Sequence, residues 1–190
     1  MPQIGQTIED FTLNIFQKET FSTVKLSDYA KRNKWLVLFF YPADFTFVCP
    51  TELEELADKY SQFKKLETEI LSISTDTKYV HKAWHDESKA IAKVKYPMGA
   101  DPTGKISRYF GVYLDDEGLA LRGTFIIDPD GVLQALEINS NNIGRSASEL
   151  LRKLQAAQFV RKNNGHEVCP ASWHPGSKTL KPGVELVGKI

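Results

Sequence analysis

Two residues of this sequence could act through sulfur, Cys49 and Cys169, and they stand in different surroundings. Cys49 precedes Pro50 at the head of a predicted helix. Proline suits a first helical turn, because its missing N–H would have no partner there. Free backbone N–H groups at such an end can point at a sulfur or a bound oxyanion, and the helix dipole favours thiolate over thiol. Thiolate formation alone does little. For an ordinary thiol, lowering the pKa from ~8.5 by about two units raises the thiolate fraction at neutral pH from ~3% to ~75%. Nucleophilicity falls about tenfold over the same change, so the net gain is about two- to threefold. A fast thiol reaction must therefore hold the other reactant in line and stabilise the atom that departs with negative charge. The local donors are the Cys49 backbone N–H, the Thr46 hydroxyl and a guanidinium. A small buried core cysteine would look the same in local sequence, and at this level both readings stand.

Cys169 lies in His166-Glu167-Val168-Cys169-Pro170, within a stretch broken by Pro170, Pro175, Pro182 and Gly165, Gly176, Gly183, Gly188. That composition predicts an extended arm rather than core. A thiol on an arm suits condensation with an oxidised sulfur elsewhere. An unused thiol is a second reading. A metal site with His166 and His174 is a third, although the spacing fits no common zinc site.

The elements that must position these residues are legible in part. Residues 35–41 form a continuous apolar run, predicting a strand buried on both faces and ended by Pro42. Leu53, Leu56, Tyr60 and Phe63 then recur at helical spacing. Glu52, Glu54 and Glu55 crowd the first turns, where the dipole favours acids. Strands are expected at 70–74, 124–127 and 132–138, the last two joined by a turn at 128–131. Helices are expected at 80–94 and 146–162. This order predicts a three-layer α/β domain of the thioredoxin type, a central mixed sheet flanked by helices, followed by the C-terminal arm.

The chain has 190 residues, enough for one domain, with 24 basic and 24 acidic side chains and zero formal net charge. No basic excess exists to hold nucleic acid or an anionic membrane. No run approaches a membrane span. The opening MPQIGQTIEDF lacks the basic and apolar regions of a secretory signal, so a cytoplasmic protein is expected. No glycine pattern for a nucleotide is present.

Pro42, Thr46 and Cys49 fall in the spacing Pro-x-x-x-Thr-x-x-Cys, and Arg122 precedes a predicted strand. With FYPADFTFVCPTELEELA, SISTDTKYVHKAWH, DPTG, RGTFIIDPDG, LLRKLQAAQ, EVCPA and the ending Leu186 to Ile190, the chain resembles the typical two-cysteine peroxiredoxins almost throughout. Within them it is most similar to the peroxidatic subunits of bacterial alkyl hydroperoxide reductases. The resemblance implies a thiol peroxidase for hydrogen peroxide and organic hydroperoxides. Cys49 would be the peroxidatic nucleophile and Cys169 the resolving cysteine. Pro42 would shield the pocket, Thr46 would bridge peroxide and thiolate, and Arg122 would stabilise negative charge. It also implies a Cys49–Cys169 disulfide between subunits, homodimers assembled into a decameric ring, and recycling by a flavoprotein disulfide reductase or thioredoxin. NADH and FAD would belong to that partner. Residues 1–164 would form the peroxidase domain and residues 165–190 the arm.

Phe45 and Thr77 resemble positions at which such dimers join. His81 and Trp84 are expected to pack, and His85 to lie at the surface. Oxidation-sensitive relatives carry a Gly-Gly-Leu-Gly loop and a C-terminal Tyr-Phe pair. Here the loop reads Asp115-Asp116-Glu117-Gly118-Leu119 and the pair is missing, so resistance to overoxidation is expected. Two rivals remain. A dithiol oxidoreductase would need Cys-x-x-Cys, but Thr46 and Glu52 occupy the positions three before and three after Cys49. A ring-forming holdase is compatible as a secondary role.

Overall fold

The computed structural model describes residues 1–189, so Ile190 of the quoted ending lies outside the described residues. Chain order runs β1 (Thr12–Gln17), β2 (Thr20–Lys25), α1 (Leu26–Lys31), β3 (Trp35–Phe40), α2 (Cys49–Lys65), β4 (Thr68–Ser74) and α3 (Lys78–Glu87). It continues with β5 (Met98–Ala100), α4 (Lys105–Tyr109), β6 (Tyr113–Leu114), β7 (Leu119–Ala120), β8 (Arg122–Ile127), β9 (Leu133–Asn139) and α5 (Ala147–Lys162). Two compact units result, Met1–Ala147 and Ser148–Ile190.

The first unit holds a seven-stranded mixed sheet in the order β2-β1-β5-β4-β3-β8-β9. Strands β3, β4 and β5 run parallel to one another, and β8 is antiparallel to β3. Every residue of β3, β4 and β8 is buried, as continuous apolar runs at a sheet centre require. Phe40, Phe110 and Phe125 meet in that core, with ring centres 4.7–5.7 Å apart. The expected hairpin turn is present: Asp128 Oδ1 accepts from the backbone N–H of Asp130 and Val132 at 2.9 and 3.0 Å.

The helix expected over 80–94 is shorter. It starts at Lys78 behind a Thr77 cap and stops at Ser88, whose extended backbone (φ −101°, ψ 120°) ends the hydrogen-bond ladder. A separate 3-10 turn, Ile91–Lys93, follows. The β1–β2 hairpin was not signalled in sequence. Its tip is Lys18-Glu19, both with positive φ, in place of the glycine or asparagine that usually marks such a turn.

The second unit contains α5 and the C-terminal segment, irregular as expected but tied down. Trp173 is buried with its ring 5.0 Å from that of Phe159. Arg152 donates to the Trp173 carbonyl at 2.9 Å, and Val168 bridges to Leu180. The arm therefore runs back along its own helix.

Candidate active site

Three chain segments end at one edge of the sheet. Strand β3 delivers the chain through Tyr41 and a loop of residues 42–48 into α2, whose first residue is Cys49. Phe39 pairs with Thr124 on antiparallel β8, so Arg122, two residues upstream, lies abreast of the end of β3. Arg122 itself pairs with Asn139, the last residue of β9, and this brings the loop carrying Asn141 and Arg145 to the same place. Sites outside the carboxyl ends of parallel strands are the usual positions for chemistry in α/β sheets.

Cys49 is fully buried. Helix α2 starts with no side-chain cap, and the Cys49 backbone N–H has no acceptor among the described residues, which leaves it free for an anion. Arg122 Nη1 donates to Cys49 Sγ at 3.3 Å and to Glu52 Oε2 at 2.6 Å. Its Nε and Nη2 hold the carbonyl of Asn141 at 3.0 and 2.9 Å, which fixes the plane of the guanidinium. Pro42 is buried at the start of the loop. Thr46 is half-buried, and its hydroxyl donates to the Ala43 carbonyl at 2.9 Å, which leaves the oxygen lone pairs available.

Two members of this site were missed from sequence. Glu52 was read only as one of three acids in the first turns, favoured there by the helix dipole. It is 3% exposed and accepts from Arg122 and from Arg145, whose Nε, Nη2 and backbone N–H lie 2.9, 3.1 and 2.8 Å from its oxygens. Arg145 also donates to the Gly123 carbonyl and Thr124 Oγ1, and its guanidinium lies 3.4 Å from the Phe39 ring centre. Burial pulls the Arg145 guanidinium below its ordinary pKa, and Glu52 opposes that effect. One signal was available: Glu52 shares the helical face of Cys49, Leu53 and Leu56, and a carboxylate on a buried face requires a buried cation. Nothing in the sequence around Arg145 marks it. The two arginines and Glu52 sum to one positive charge, so an anion at Cys49 Sγ brings the buried group to neutrality.

Behind the loop, Asp44 is held by the Tyr41 hydroxyl at 2.7 Å and by His81 Nδ1 at 2.7 Å, while His81 Nε2 meets the Gly99 carbonyl at 3.0 Å. Desolvation raises the Asp44 pKa, and the His81 contact pulls it back. The Asp44 N–H donates to Asp76, itself bonded by Ser74. His81 is thus a buried polar anchor for the loop, and Trp84 packs on Tyr41 and Phe45. His85 is half-buried rather than at the surface, with Nε2 at 3.3 Å from the Val94 carbonyl.

Cys169 lies in the second unit, partly exposed, 3.9 Å from the Ala156 carbonyl. Burial pushes its thiol pKa up, and Arg152 partly offsets this. His166 and His174 form no metal-binding group with it. Among the described residues the group with suitable spacing is Glu19, His85 and Asp86, where the Lys82 ammonium already contacts both carboxylates.

Residues 4–136 match the AhpC/TSA family, and residues 156–189 match the C-terminal domain of 1-Cys peroxiredoxin, a stretch that includes Cys169. Alkyl hydroperoxide reductase C of Staphylococcus aureus is 55% identical over 192 residues, covering 100% of both chains. The crystal structure of Enterococcus faecalis AhpC aligns with a TM-score of 0.85 at 46% identity, over 90% of this chain and 100% of that one. The reduced 2-Cys peroxiredoxin of Plasmodium vivax aligns with a TM-score of 0.90 at 36% identity, over 97% and 96%. These structures establish the thioredoxin-like architecture anticipated from the strand order. Full-length identity and a family match across most of the sheet-bearing unit lead to one conclusion: this chain belongs to the AhpC/TSA family of peroxiredoxins.

Proposed function

We infer that this chain is the peroxidase component of an alkyl hydroperoxide reductase system, reducing hydrogen peroxide and organic hydroperoxides through a cysteine sulfenic acid. One observation carries the residue assignment: Arg122 Nη1 stands 3.3 Å from the buried Cys49 sulfur at the head of α2. Cys49 thiolate attacks the nearer peroxide oxygen, forming S–O and breaking O–O. The departing oxygenate takes a proton and leaves as water or alcohol. Arg122, the Cys49 N–H and Thr46 are the donors for the charge that develops. Pro42 keeps water from the pocket. The Cys169 thiol then attacks the sulfenic acid, giving a disulfide and water. An external dithiol, from a flavoprotein disulfide reductase that uses FAD and NADH or from thioredoxin, restores both thiols.

A disulfide requires Cα atoms ~4.4–6.8 Å apart. Because Cys49 is buried, the first turn of α2 must unwind before Cys169 can reach it. We assign resolution to the partner subunit's arm, with residues 165–190 as the arm and residues 1–164 as the peroxidase domain. A cytoplasmic setting suits a cycle that needs reducible thiols. The Asp115–Leu119 turn supports resistance to overoxidation. Early sulfinic acid at Cys49, seen by mass spectrometry at modest peroxide excess, would contradict that reading.

The test is a non-reducing gel after one equivalent of hydrogen peroxide. Wild type should give a covalent dimer that both Cys49→Ser and Cys169→Ser lack, and Cys49→Ser should consume no peroxide. Undiminished turnover in Cys49→Ser would overturn the assignment.

A further inference from the structure

Away from the sulfur, on the side of the sheet that carries Ile15 and Val24, lies a hollow of about 460 Å³. That is the size of a small-ligand site. Three basic residues from separate parts of the chain line it: Lys18 at the β1–β2 tip, Arg32 just after α1, and Lys95 before β5. Its one carboxylate, Glu69, is 8% exposed and already satisfied by the Lys64 ammonium and the Tyr60 hydroxyl. Arg32 uses only Nε, on the Asp28 carbonyl at 3.0 Å, and its guanidinium sits 5.2 Å from the Tyr29 ring centre. Lys18 and Lys95 have no side-chain acceptor among the described residues.

Three basic residues whose side chains have no carboxylate partner among the described residues thus line one hollow, in a chain whose formal net charge is zero. The hairpin tip sorts its charges: Lys18 lines the hollow, whereas its neighbour Glu19 turns to Lys82 and His85. Like charges gathered round a recess repel one another, and a polyanion removes that repulsion. Burial raises the Tyr29 and Tyr60 pKa values, so both phenols remain neutral.

We propose that this hollow binds an oligophosphate, free or carried by a nucleoside. A lone phosphate would fill little of the volume. Basic residues from separate parts of the chain suit the several oxygens of linked phosphoryl groups. The site is separate from the peroxide chemistry.

The experiment is calorimetric titration of the reduced full-length protein with inorganic pyrophosphate and with ADP, at about 0.15 M salt to screen diffuse attraction. Saturable binding at one site per chain is expected, weakened about tenfold or more in Arg32→Gln/Lys95→Gln. Peroxide consumption and the unfolding midpoint of the double variant should match wild type, which shows that the fold is intact. Tighter binding of ADP than of pyrophosphate assigns a nucleotide; equal or weaker binding assigns a free oligophosphate. No saturable binding of either probe up to about 10 mM, or binding that the double variant retains, overturns the proposal.

Discussion

Glu52 separates two effects that usually act together at a thiolate site. Its carboxylate cancels one of two buried guanidinium charges, and it holds Arg122 Nη1 at 2.6 Å while the same nitrogen reaches Cys49. If charge alone mattered, neutralising Glu52 would leave two cations beside the sulfur and would favour the anion. If position mattered, the same change would release Arg122. We expect position to dominate, because the reacting atoms must be held in line. Glu52→Gln should slow the peroxide step at least tenfold by stopped-flow measurement. It should also lower unfolding stability by roughly 3–5 kcal/mol in urea, since a buried ionic network loses its central partner. An unchanged or faster peroxide step would show that Glu52 acts only as a counter-charge.

The elements differ in how far they could be read. Strand β3 and helix α2 were legible because seven apolar residues in a row and a clean helical stripe each have one reading. The Cys49 end of α2 was marked by Pro50, and Arg122 became visible only through the family resemblance. Helix α1, strand β5 and helix α4 are six, three and five residues long, too short for periodicity to register. Arg145 is invisible because its role depends on sheet register. The C-terminal segment was read correctly as irregular, but its anchoring by Trp173 and Arg152 was not. That anchoring carries a kinetic consequence. In the folded arm Cys169 has its thiol pKa raised by burial, so below that pKa its thiolate fraction grows about tenfold per pH unit. Disulfide formation should therefore accelerate as pH rises through neutrality, and Trp173 fluorescence after rapid mixing with peroxide should follow it. A flat profile from pH ~6 to ~8 would mean that a step other than Cys169 ionisation, such as release of the arm, sets the rate, because even an ordinary thiol gains thiolate about tenfold per unit in that range.

At the scale of the assembly, the sheet offers two different ends. Strand β9 is an open edge, with Leu136 and Ile138 only half-buried. The opposite end, at β2, carries an exposed aromatic patch: Phe21 and Tyr79 are 41% and 64% exposed. Phe21 and Tyr79 stack at 5.2 Å, and Lys78 lies over both rings. A closed ring of dimers needs two distinct self-complementary faces, one for the dimer and one to join dimers. We propose that β9 makes the dimer and the aromatic patch makes the ring of five dimers. Tyr79 lies on α3, outside the contacts around Cys49, so it tests the ring without touching the chemistry. Burying such a ring contributes about 2 kcal/mol per copy, and a charge there adds a desolvation penalty. Tyr79→Glu should therefore shift the reduced protein from decamer to dimer in sedimentation velocity while each dimer still reacts with peroxide. A Tyr79→Glu protein that stays decameric would remove the patch from the interface, and a wild type that sediments only as a dimer would remove the ring.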